Sequence, residues 1–114
     1  MVTNLNRDDK RKFVQEFLST YRKRHKIEPD MVGASAYDAF MLLANAIKTA
    51  KTTDGAAVAK ALANTKNYDG LTGLIKGFTA EGEVVKPVQI QRVKDGKFHY
   101  YGVVKDIKLI TPSR

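Results

Sequence analysis

The stretch from Ala39 to Ile47 is apolar almost all the way round a helix, broken only by Asn45. A helix of that kind is stable when neighbours cover more than one of its sides. A chain of 114 residues has few elements to do the covering. The fold must therefore bury this segment within one small core or leave part of it bare. A globular chain of this length is expected to form one domain over residues 1–114 and to bury somewhat over ~60% of its unfolded surface. Hydrophobic residues make up 43% of the sequence, which argues against wholesale disorder. No run approaches the ~18 apolar residues of a membrane helix.

Around that segment the periodicity predicts three helices and then strands, an α+β arrangement. Phe13, Phe17 and Tyr21 recur every four residues with Val14 and Leu18 beside them, one apolar stripe on a helix from about Asp9 to His25. Asn6 is placed to cap it, with Asp9 near its positive end. Asp30 can cap the second helix, running to about Lys51, and Thr53 or Asp54 a short third one carrying Val58, Ala61 and Leu62. After Asn67 the glycines at 70, 73, 77 and 82 punctuate short extended runs. Gly70-Leu71-Thr72-Gly73 reads as a pair of turns flanking a strand. Asp95-Gly96 suits a two-residue hairpin turn, because both positions tolerate positive φ. That turn pairs Val93 with Phe98, Gln91 with Tyr100, Ile90 with Tyr101 and Val88 with Val103. Residues 105–114 form an extra strand or tail, with Ile107-Lys108-Leu109-Ile110 extended and Pro112 ending it.

Little in the sequence points to catalysis. His25 and His99 are the only histidines, and no carboxylate is placed to pair with either in sequence. No metal-ligand spacing occurs, cysteine is absent, and Ser19, Ser35 and Ser113 lack a nucleophile-elbow context. Gly70 to Gly73 is too sparse in glycine for a phosphate loop. The reading is therefore a non-enzyme with no cofactor and no metal. The net charge of +8 favours acidic partners. Only Lys10-Arg11-Lys12 and Arg22-Lys23-Arg24-His25-Lys26 are clustered, however, and a helix C-terminus accounts for the second, which argues against a nucleic-acid-binding domain. Tyr37 and Asp38 stand out as a polar pair in an apolar helix. They read either as solute contacts or as a buried, hydrogen-bonded tyrosine beside an aspartate at home in an early helical turn.

One ordered series of short motifs is more specific than any of its members. It runs Pro29-Asp30, Ala36-Tyr37-Asp38-Ala39, Thr53-Asp54, Tyr68-Asp69-Gly70-Leu71-Thr72-Gly73, Val85-Lys86-Pro87-Val88, then Lys94-Asp95-Gly96-Lys97-Phe98 and Tyr100-Tyr101-Gly102. In order and spacing it resembles the C-terminal part of the branched-chain amino acid (leucine)-binding proteins, the type I periplasmic solute-binding receptors of ABC importers. The likeness is close over residues 29–104 and looser over 7–28. Members are much longer than 114 residues, so the chain resembles a piece of one. The resemblance implies a parent with two α/β lobes that close about a hinge on a small amino acid, at the outer face of the membrane, and pass it to the ABC transporter's membrane subunits. It implies here part of one lobe and a closing hairpin.

The same resemblance puts a solute contact five residues before Tyr37, at Val32, where members often carry an aromatic residue. Val32, its neighbour Met31 and Tyr37 are the candidate ligand-binding residues. An amino acid also needs partners for its carboxylate and ammonium. In the family these come mainly from upstream regions, so the chain alone is expected to bind no branched-chain amino acid usefully. Gly77 looks like an insertion that bulges its strand. Met1-Val2-Thr3-Asn4-Leu5-Asn6 has no apolar core segment, so no signal peptide is expected in the chain as given. Within transport, an amide or aromatic acid is the alternative solute. Outside it, the alternatives are a self-associating module, expected to be a homo-oligomer through its bare helix, and the basic nucleic-acid-binding domain.

Overall fold

The computed structural model describes residues 2–112. In chain order they form strand β1 (Val2–Thr3), helices α1 (Lys12–His25), α2 (Met31–Ala50) and α3 (Gly55–Ala63), and strands β2 (Tyr68–Gly70), β3 (Gly73–Ile75), β4 (Gly77–Phe78) and β5 (Val84–Val85). Strands β6 (Val88–Lys94) and β7 (Lys97–Val104) and a short helix α4 (Ile107–Ile110) complete the order. The three helices and the closing hairpin are those the periodicity predicts. Two elements, β1 and α4, are additions.

α1 starts three residues later than Asp9. Asn6 does not cap it: its side chain accepts from Asp8 N at 2.9 Å, closing a turn before the helix. Asp9 accepts from Arg11 N and from the Arg11 guanidinium. At the other end Lys26 takes a left-handed φ of 59°, and its N–H bonds Arg22 O. The cations of the last turn suit the negative end of the helix dipole. Asp30 caps α2 by accepting from Gly33 N at 2.8 Å, and Asp54, rather than Thr53, caps α3 by accepting from Ala57 N at 3.0 Å.

Leu5, Val14, Leu18, Ala34 and Leu71 form the core, with Phe17 packed against it. Leu42, Ala46 and Val58 are also buried, where α2 meets α3. The opposite side of α2 is bare, with Phe40 71% and Leu43 44% exposed. The chain exposes 7903 Å2, against about 6,200 Å2 for a compact monomer of its mass. Its radius of gyration of 15.3 Å also exceeds the ~13 Å of a compact domain of this length. The all-round apolar helix thus receives only part of the cover it needs.

β6 is the centre of a three-stranded antiparallel sheet, with β1 on one side and β7 on the other. Asp95 and Gly96 take φ of 53° and 73°, as the hairpin turn requires. The predicted pairs Val93–Phe98 and Gln91–Tyr100 are present. Beyond them the register shifts by one between Ile90 and Gln91, so Ile90 faces Gly102 and Val88 faces Val104 instead of Tyr101 and Val103. A β-bulge leaves Tyr101 outside the ladder, and Val103 joins the Gln89 and Gln91 face.

Three further expectations are corrected. Gly70 pairs with Gly73, so Leu71-Thr72 is a single tight turn between two strands rather than the middle of one. Gly77 does not bulge a strand. β3 ends at Ile75, and Gly77, with a φ of 155°, opens a separate strand, β4, paired with β5. Ile107 to Ile110 is one helical turn, because Asp106 accepts from Lys108 N at 2.9 Å and starts a helix where an extended tail is expected. Pro112 follows it; the last two residues, which that tail includes, lie outside the described residues.

Candidate functional site

The candidate site is the start of α2. Pro29 is fully buried, and its carbonyl accepts from Arg7 Nη2 at 2.8 Å. The Arg7 guanidinium also lies 5.5 Å from the Phe98 ring centroid. One arginine therefore holds the entry to α2 against the β6–β7 hairpin. With the Asp30 cap, this fixes the direction in which the first turn of α2 leaves the core. Met31 and Val32 stand on that turn, 44% and 69% exposed. They offer apolar surface at a helix end whose Gly33 N–H is capped by Asp30.

Tyr37 is not brought beside them. Five residues on, it lies about 140° round the helix and about 7.5 Å along it from Val32. Its ring packs against Phe17 at 5.1 Å between centroids, and the residue is 39% exposed. The buried member of the polar pair is Asp38, at 4% exposure. Its carboxylate accepts from Leu71 N at 2.7 Å, from Thr72 N at 2.8 Å and from Thr72 Oγ1 at 2.6 Å. An aspartate at home in an early helical turn is therefore the wrong picture: Asp38 holds the β2–β3 turn onto α2.

The turn is built to admit that carboxylate. A Cβ on Gly70 would lie 2.9 Å from Asp38 Oδ2 and 3.1 Å from Gly73 O. Lys86 donates to Thr72 Oγ1 at 2.9 Å from the far side. Burial pushes the Lys86 ammonium below the usual lysine range, with the Asp38 charge opposing the shift. The Tyr68 hydroxyl is held above its usual range by burial, then by the charge of Asp38. Arg11 closes the outer side of the turn, donating to Gly70 O at 3.0 Å and pairing with Asp69 and Asp9. Its bond to Asp9 raises the guanidinium further. For Asp9 burial pulls upward, but the hydrogen bonds from Arg11 prevail and lower the carboxyl.

The sequence carried a signal for this cluster. An aspartate facing inward on an apolar helix must find donors, and the Tyr68 to Gly73 motif, with its paired glycines, is where a backbone can supply two N–H groups to one carboxylate. Among the described residues no group of three or more His, Cys, Asp or Glu is placed to hold a metal ion.

The sequence pattern of the periplasmic binding proteins matches residues 1–97. The chain belongs to the periplasmic binding protein family. Solved members show the same fold. A leucine binding protein from Thermotoga maritima is 26% identical, with a TM-score of 0.78 over 94% of this chain and 31% of that one. An ABC transporter substrate-binding protein from Desulfitobacterium hafniense in complex with leucine is 27% identical, with a TM-score of 0.78 over 88% and 30%. A branched-chain amino acid transporter substrate binding protein from Streptococcus pneumoniae in complex with isoleucine is 31% identical, with a TM-score of 0.74 over 90% and 29%. No curated protein matched the chain. This periplasmic binding protein chain thus spans less than a third of the length of these relatives.

Proposed function

We propose that the chain supplies part of one lobe of a receptor that captures a branched-chain or related small amino acid for an ABC importer. The work is binding and hinge closure, with no chemical change. What carries the reading is the likeness to relatives solved with leucine and isoleucine. The exposed apolar pair Met31 and Val32 supports it, since an aliphatic side chain needs such a surface. Tyr37 serves by holding α2 against α1 through Phe17. The match covers 31% of the Thermotoga relative, so leucine titrated into this chain alone is expected to give no one-site isotherm at micromolar concentration. The test is a chimera in which residues 7–104 replace the matching segment of that relative. It is expected to bind leucine, and Val32→Asp within it to weaken binding about tenfold or more. A folded chimera that takes none of leucine, isoleucine and valine overturns the reading.

A second reading applies to the chain by itself. The surface excess and the exposure of Phe40 and Leu43 support self-association through the bare face of α2. Sedimentation across a concentration series tests this. Leu43→Lys is expected to shift the chain to monomer, and an unmodified chain that stays a folded monomer at high concentration refutes it.

A further inference from the structure

The fold unites two basic stretches that lie far apart in the sequence. Arg22, Lys23, Arg24 and Lys26 close α1, and Arg92, Lys94 and Lys97 surround the β6–β7 turn. Arg22 of the first stretch and Lys97 of the second line one cleft of ≈ 420 Å3, with Glu28 on the α1 side and His99 on the hairpin side. Residues 22–28 and 92–98 are all exposed. They hold these seven Lys and Arg against two carboxylates, Glu28 and Asp95, a local charge of +5 within the chain's +8. Arg22 is paired with Glu28.

The hairpin tip is two-sided. Lys94 stands opposite Lys97 and Arg92 opposite His99, so these share one face. Two like charges directly opposite weaken a hairpin, and a layer of negative charge laid against them removes that penalty. Val93 and Phe98 pair on the alternate face, with Val93 64% exposed. With the cations on one face and the exposed Val93 on the other, a tip that enters end-on brings both to the border between headgroups and acyl chains.

We propose that the end of α1 and the tip of the hairpin form one surface that docks onto a bilayer containing anionic phospholipid. The charge is carried by two elements, and a layer of headgroups can meet both at once. A single nucleic-acid strand would need free ring faces on which to stack. At the tip Val93 has no ring, and Phe98 carries the Arg7 guanidinium over its own. This surface does not depend on Met31, Val32 or the solute reading.

The test is sedimentation of the full chain with phosphatidylcholine vesicles, with and without phosphatidylglycerol, at low and high salt. Binding is expected only to vesicles containing phosphatidylglycerol, weakening as salt rises. Lys94→Ala combined with Lys97→Ala should lower partitioning about thirtyfold. Lys23→Ala combined with Arg24→Ala, on the other element, should lower it to a similar degree if the two stretches act together. Circular dichroism checks that both variants remain folded. Equal binding to pure phosphatidylcholine would assign the association to the bare α2 face and overturn the proposal. So would no binding to either vesicle, full binding by both variants, or tighter binding of a single-stranded DNA oligonucleotide at the same salt.

Discussion

Asp38→Ala is the most informative perturbation in this chain. The substitution removes the acceptor of three hydrogen bonds at a site only 4% exposed. The Leu71 and Thr72 backbone N–H groups would be left in residues 2% and 1% exposed, where water does not reach them. Each unsatisfied buried donor costs about 1–3 kcal/mol. The Thr72 hydroxyl can rotate and loses less. The expected loss is about 3–5 kcal/mol, a large share of the ~5–15 kcal/mol that holds a domain together. At about 4 °C per kcal/mol, melting should fall by about 10–20 °C. Asp38→Asn keeps one acceptor oxygen but turns an amide donor toward a donor, so it should lose about 1–3 kcal/mol. Urea unfolding followed by circular dichroism measures both. A cycle with Thr72→Val should give a coupling of about 1 kcal/mol with Asp38. If Asp38→Ala stays within about 1 kcal/mol of the parent, the carboxylate is not what fixes the β2–β3 turn, and the reasoning fails.

Gly96 sits at φ +73° with open space where a Cβ would be, so Gly96→Val strains only the backbone and should cost about 1–2 kcal/mol. An unchanged melting temperature would remove the hairpin turn from the forces that hold the fold. Asp30→Ala takes away the acceptor of Gly33 N and should cost about 1 kcal/mol, read as a lower urea midpoint with unchanged slope. Burial lowers the Lys86 ammonium relative to an unfolded value near ~10.4. The charged form is thus the one the fold penalises. The Lys86 contribution to stability should rise as pH climbs from the folded value toward the unfolded one. An NMR titration should show Lys86 losing its proton below the usual lysine range, and titration within or above that range would contradict its burial.

Local chemistry explains what the sequence determined by itself. The caps Asp30 and Asp54, the 3.6-residue apolar stripes and the Asp95-Gly96 turn act within a few residues, so the first three helices, their order and the hairpin's first pairs are legible without the fold. The motif order from Pro29 to Gly102 identified the family for the same reason. Whatever depends on contact between distant segments was not legible. Val2–Thr3 becomes a strand only because β6 offers it an edge, at Ile90 and Gln89. The bulge at Ile90 and Gln91 moves Val103 to the other face, because strand periodicity is two and one extra residue reverses it. Tyr37 and Asp38 are adjacent in sequence and equally conspicuous there. Tertiary structure alone puts Asp38 under the β2–β3 turn and turns Tyr37 outward against Phe17, because a helix rotates neighbours by about 100° and only one of them can face the core.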